Sequence, residues 1–198
     1  MASRSKPAFL SGTSSEFLGK RALPTILKER PVVFLLGPSG AGKTSVALRL
    51  VQPNHYCNRN TLEDAVLERV RTRVWPEAIR DAKNLILDGP VWLQNRPAIV
   101  RILGELLRER AAEGRRTLVC QPDHDGSVNL LMDEVEPGSS VVVALRFPKG
   151  RRGRLRFATR QCEKMAIPKT AAKGSEVIEP WGYAQVIAFL EEWERNNA

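Results

Sequence analysis

The chain has 198 residues, 42% of them apolar and 27% charged. That suits one domain with a substantial core and a small appended lobe, and leaves two independent domains crowded. Thirty-one basic and 22 acidic side chains give a net charge of +9, which favours polyanionic partners such as nucleic acid.

No apolar run approaches the roughly 18 residues of a membrane span. The start, Met1 to Pro7, lacks the apolar core of a secretory signal. Cys57, Cys120 and Cys162 are too few and too far apart for a disulfide framework or a zinc cluster, and neither His55 nor His124 comes with further ligands. The expectation is a cytoplasmic protein with reduced thiols and no membrane partner.

Residues 1–14, rich in Ser, Gly and basic side chains, read as a flexible N-terminal segment. Residues 16–28 read as a turn and a short helix. Pro31 to Leu36 is an apolar run suited to a buried parallel strand, and Lys43 to Val51 has helical apolar spacing. Between them lies Gly37-Pro38-Ser39-Gly40-Ala41-Gly42-Lys43-Thr44, a full match to GxxxxGK[ST]. In that pattern backbone N–H groups face the α/β-phosphates, the lysine reaches the β/γ-phosphates and the hydroxyl ligates Mg²⁺. ATP with Mg²⁺ is the expected ligand. Gly37 to Ser45 form the candidate binding set, with Lys43 also catalytic and Thr44 a metal ligand.

Residues 53–58 predict a short second strand, and Thr61 predicts the cap of a helix running to Val74, with another helical turn from Pro76 to Ala82. Asn84 to Asp88 is an apolar strand ending in an acid, the form in which a carboxylate orients Mg²⁺ at a strand's C-terminal edge. Asp88 is therefore the second candidate catalytic and metal residue. A helix is predicted from Pro97 to Ala112, a strand over Thr117 to Cys120 leading into the polar turn Gln121 to Gly126, a brief helix from Val128 to Glu134 and a strand from Ser140 to Leu145. A helix over 150–166, a loop through Pro168 and Gly174, and a helix from Tyr183 to Arg195 complete the chain.

The alternation predicts an α/β fold, a P-loop NTPase parallel sheet flanked by helices, with a small C-terminal helical lobe. The organisation expected is 1–14 flexible, 15–148 nucleotide-binding core and 149–198 helical lid lobe. Trp75, Trp92, Trp181 and Trp193 read as packing residues, since none sits in a basic-aromatic repeat.

With these elements in place the chain resembles the AAA+ ATPases, in particular the compact core of the DnaA replication-initiator group. The resemblance rests on Phe17-Leu18-Gly19-Lys20 before the first strand, the phosphate loop and the Leu85-to-Asp88 strand. The polar residue after Thr117 to Cys120 and the arginine-rich helix after Pro148 add to it. It implies that Leu18 and Gly19 lie near the adenine and that Gln121 occupies the γ-phosphate sensor position. Two departures stand out. Gly89 holds the place of the second acid that polarises the attacking water, and no counterpart of the second sensor arginine stands near Trp181-Gly182-Tyr183. The resemblance therefore implies a nucleotide-controlled switch for DNA or protein partners, with nucleotide-dependent oligomerisation open to it and Mg²⁺-dependent ATP hydrolysis slow or absent.

A small-molecule or nucleotide kinase also combines such a loop with a strand ending Asp-Gly and an arginine-rich lid, as Asp88-Gly89 and Lys149 to Arg154 provide. The added lobe of about fifty residues stands against it. A third reading is a basic scaffold that keeps nucleotide only for stability. Arg152, Arg156 and Arg160 share one face of the predicted helix, with Arg151 and Arg154 beside it. Three roles stand open for them: a solvated face, nucleic-acid phosphate contacts, or an arginine delivered to a neighbour's nucleotide.

Overall fold

The structure, a computed structural model, describes residues 8–13, 29–52, 55–90, 96–122, 127–178 and 182–197. Among the described residues six strands form one sheet in the order β1-β6-β2-β5-β4-β3: β1 (Ala8–Thr13), β2 (Val32–Leu36), β3 (His55–Cys57), β4 (Asn84–Asp88), β5 (Arg116–Gln121) and β6 (Ser140–Arg146). The pairs β2 with β5, β2 with β6, β3 with β4 and β4 with β5 are all parallel. The described helices are α1 (Lys43–Leu50), α2 (Arg59–Thr72), α3 (Glu77–Arg80), α4 (Pro97–Ala112), α5 (Ser127–Asp133), α6 (Gly150–Met165) and α7 (Tyr183–Asn197). The α/β fold read from the alternation is the fold observed.

The central strands carry unbroken apolar runs because a parallel sheet is covered on both faces. Val32, Val33, Phe34 and Leu35 of β2 are fully buried, as are Leu85, Ile86 and Leu87 of β4. Phe34 sits in register with Val119 on one side and Val142 on the other. Helix α4 supplies Leu103, Leu106 and Leu107 to this core, and Trp75 packs into it as well.

Helix α4 also carries Arg110, 1% exposed, at the N-terminal ends of β4 and β5. Its Nε donates to Thr117 Oγ1 (2.9 Å), Nη1 to the carbonyls of Ile79 (2.8 Å) and Arg80 (3.0 Å), and Nη2 to those of Ala82 (2.8 Å) and Arg116 (3.0 Å). One guanidinium thus ties α3, the entry to β4 and the start of β5 to α4. Its five acceptors are all neutral, and burial pulls its pKa down to about 10.

Two local readings are corrected. Residues 8–13, expected to be loosely attached, form β1 beside β6. Phe9 on it is 61% exposed, so pairing with β6 at the sheet edge, more than burial of this aromatic, holds the strand. Helix α2 begins at Arg59, capped by Asn58 and not by Thr61: the Asn58 side-chain oxygen accepts from the Thr61 N–H at 3.0 Å. The turn and helix expected over 16–28 lie outside the described residues, as do Trp92, Trp181 and Asp123, the last an alternative to Gln121 in the sequence reading of the nucleotide site.

The chain divides into two compact units, one drawn from 1–38 and 43–145, the other from 39–42 and 146–198. The second unit has its own core of Ala158, Cys162, Ala171, Val186 and Leu190, with Tyr183 stacked on Phe157 at 4.1 Å between ring centroids. The segment expected as a loop through Pro168 and Gly174 carries two 3₁₀ turns, Lys169–Ala172 and Ser175–Val177.

Candidate functional site

Strand β2 lies between β5 and β6, so the chain leaves it toward one side of the sheet and later returns on the other. Ligands bind at such a switch point, beyond the strands' C-terminal ends. There the register sets Leu36 of β2 beside Gln121 of β5, and Cys120 of β5 beside Asp88 of β4. The end of β2, the fully buried Gln121 and Asp88 therefore lie within one residue step of each other along the sheet edge. Gln121, read from sequence as opening a turn, is the last residue of β5.

At Gly37 the backbone takes φ +153°, and a Cβ there would lie 2.5 Å from the Leu145 carbonyl oxygen of β6. Only glycine lets the chain leave β2 this close to its neighbour. Lys43 and Thr44 then open α1, which is anchored by the buried Val46 and Ala47. Lys43 Nζ donates to the carbonyls of Gly37 (2.7 Å) and Pro38 (2.9 Å), so the ammonium lies over the start of the loop. Ser45 is exposed on α1.

Thr44 Oγ1 donates to Asp88 Oδ2 at 2.7 Å. The same oxygen accepts from Tyr56 Oη, also at 2.7 Å. Tyr56, on β3, is a site residue that the sequence reading missed; the signal for it was the pairing of β3 with β4, which sets Tyr56 beside Ile86, two residues before Asp88. Its partial burial, then the Asp88 hydrogen bond and charge, push the phenol up to about 12. It stays a protonated donor throughout the neutral range. Gly89, after Asp88, has φ 72° and donates its N–H to the Cys120 carbonyl at 2.9 Å. It brings no side chain to the site.

Ser39, Gly40, Ala41 and Gly42 group with the second unit, where the Gly40 carbonyl accepts from the Tyr183 N–H at 3.2 Å. Leu18 and Gly19 lie outside the described residues. The thiols near the site are poor nucleophiles: burial pushes Cys57 up to about 11, and burial together with the Asp88 charge raises Cys120. A cavity of about 790 Å³ lined by His55, Glu68, Glu77, Asp81 and Lys83 opens at the opposite, N-terminal ends of β3 and β4.

Among the described residues no three His, Cys, Asp or Glu gather as a metal cluster. The pair that does converge, a hydroxyl and a carboxylate oxygen 2.7 Å apart, is a hard-donor set of the kind Mg²⁺ uses when substrate phosphates and water complete its shell. The residues present fit that ion. No described helix is long and apolar enough to cross a membrane.

No protein of curated function matches the sequence. Solved structures match over most of the chain. A replication initiator DnaA bound to AMPPCP and single-stranded DNA is 12% identical, with a TM-score of 0.69 over 93% of this chain and 67% of that one. Domain III of the Thermotoga maritima replication initiation protein DnaA is 14% identical, with a TM-score of 0.66 over 93% and 85%. A point variant of Thermotoga maritima RuvB is 16% identical, with a TM-score of 0.61 over 91% and 59%. The chain thus spans about two thirds of the nucleotide-bound DnaA chain and about three fifths of the RuvB chain. At these identities the likeness is one of fold. The model of the AAA domain family matches residues 32–135, over half of the sequence, and with the P-loop α/β core now described the chain belongs to that family.

Proposed function

We propose that the protein binds ATP with Mg²⁺ at the phosphate loop and uses that occupancy as a switch for association with nucleic acid or protein partners, hydrolysing ATP slowly or not at all. The observation that carries the reading is the Thr44–Asp88 contact, which brings the loop hydroxyl and the strand-end carboxylate to one point. Lys43 exchanges the carbonyls of Gly37 and Pro38 for phosphate oxygens, and N–H groups of the loop and the start of α1 take the rest of the polyphosphate. A bound Mg²⁺ supplies charge neutralisation between the phosphates. Asp88 and Thr44 would hold that ion, and Gln121 is proposed as the group that senses the outer phosphate.

Fast turnover needs a group that takes a proton from water. Gly89 leaves that role unfilled beside Asp88, which supports a binding switch over a motor. The DnaA relative bound to AMPPCP and single-stranded DNA makes a nucleotide and a nucleic acid reasonable joint ligands for this fold.

Gly89 also favours the kinase reading, in which Asp88 orients an acceptor hydroxyl. A kinase turns ATP over much faster when a small hydroxyl acceptor is supplied, whereas a switch changes its partner association and shows no such stimulation. Calorimetric titration of ATP tests the shared premise. Lys43→Ala is expected to weaken binding at least tenfold, and unchanged affinity would overturn the site.

A further inference from the structure

The arginines that follow Pro148 form one cluster in the sequence, but the fold divides them. Arg151 is committed: its Nε and Nη2 both donate to Glu176 Oε1 (3.0 and 2.9 Å), and that carboxylate is nearly buried. Arg154 donates to the Glu176 carbonyl at 3.4 Å. These two pin the 3₁₀ turn at Ser175–Val177 onto α6.

Arg152, Arg156, Arg160 and Lys164 are different. All four are exposed and follow one another at four-residue steps along α6. Each step rises about 6 Å, so the four charges span roughly 18 Å along the helix. None of them makes an ion pair with a carboxylate among the described residues. The single acid on α6, Glu163, is taken by Lys169 at 2.8 Å, and Arg160 adds to the positive field around it. The first turn holds no acid at all. The apolar residues of α6, Leu155, Phe157, Ala158 and Met165, belong to the core of the second unit, so the outer track offers charge without an apolar anchor.

Protein interfaces draw most of their affinity from buried aromatic and apolar anchors, whereas nucleic-acid binding draws it from cations that displace counterions from phosphates. Arginine adds a planar fork suited to phosphate oxygens. We propose that the outer face of α6, through Arg152, Arg156, Arg160 and Lys164, is a track for the phosphate backbone of a nucleic-acid strand. The proposal rests on the reading of a switch with a nucleic-acid partner and names its surface.

The test is fluorescence anisotropy of a labelled oligo-dT strand with the full chain, over 50–200 mM salt and without nucleotide. Its result is thus independent of the phosphate loop, which Lys43→Ala calorimetry tests separately. The triple variant Arg152→Gln/Arg156→Gln/Arg160→Gln removes three contacts at about 0.7 each for a single strand, so the slope of log K against log salt is expected to shrink by about 2. A control, Arg49→Gln/Arg71→Gln/Arg101→Gln, removes the same charge from exposed positions on α1, α2 and α4 and is expected to leave the slope nearly unchanged. An unchanged slope in the α6 variant, or an equal loss in the control, overturns the proposal. So does competition by poly-glutamate of matched charge as strong as that by oligo-dT, which would make the face a docking site for acidic protein.

Discussion

Gly37→Ala perturbs the point where β2 becomes the phosphate loop. The new Cβ would sit 2.5 Å from the Leu145 carbonyl oxygen, about 0.9 Å inside the 3.4 Å at which ordinary contact begins. One partner is the β6 main chain and the other follows directly on β2, so neither can swing aside as a side-chain tip does. The ends of β2 and β6 must part, giving up about one ladder hydrogen bond at ~1 kcal/mol. The +153° φ adds about 1–2 kcal/mol for a residue with a Cβ. Together these predict a loss of about 2–3 kcal/mol in urea-induced unfolding. They also move the Gly37 end of the loop, and loss of one charge-assisted phosphate contact weakens ATP about 10–100-fold by calorimetry. Gly114→Ala is the control: its φ is also positive, +67°, but nothing lies within 4 Å of the added Cβ. It is expected to cost about 1 kcal/mol and to leave ATP affinity alone. If the two variants match in stability and in affinity, the steric reasoning is wrong.

Arg110→Met removes five buried donors and leaves four carbonyls and a hydroxyl to find other partners. A loss of about 3–5 kcal/mol in urea unfolding is expected, with Arg110→Lys recovering little because an ammonium cannot reproduce the fork. Cys57 gives a pH dependence of defined sign. Burial raises the folded pKa from 9.0 to about 11, so its contribution is fully present below pH 9 and is lost as pH climbs from 9 to 11. The decline is at most about 1.4 kcal/mol per pH unit, with Cys120 acting in the same direction. Cys57→Ala should flatten that slope in unfolding measured at pH 8, 9 and 10.5, and an unchanged slope would exclude the thiol as its source.

What the sequence revealed depended on how local the determining physics was. Helix α4 was read at its observed bounds, Pro97 to Ala112, because its apolar positions repeat at helical spacing between a proline at its start and a glycine beyond its end. The central strands were legible because burial on both faces leaves unbroken apolar runs. Strand β1 was not, since edge pairing asks little of side chains. The Asn58 cap was passed over for Thr61, three residues on; both are good capping types, and only the backbone geometry chose between them.

At the site, the phosphate loop and Asp88 were visible as motifs, and the fold brings Thr44 and Asp88 together. Tyr56 was invisible because its contact with Asp88 depends on which strand pairs with β4, a tertiary fact. Helical spacing already set Arg152, Arg156 and Arg160 on a face apart from Arg151 and Arg154, but not what each face meets. Nothing local marks Glu176 as the carboxylate that claims Arg151 and leaves Arg152 in solvent.

A metal–nucleotide pair held between Thr44 and Asp88 is the central claim. Calorimetric titration of ATP with and without Mg²⁺, on the unaltered chain and on Asp88→Asn, addresses it most directly. Mg²⁺ is expected to tighten ATP binding at least tenfold for the unaltered chain and by much less for the variant, while the affinities without Mg²⁺ stay close. No binding by the unaltered chain, or an equal Mg²⁺ increment in both, would contradict it.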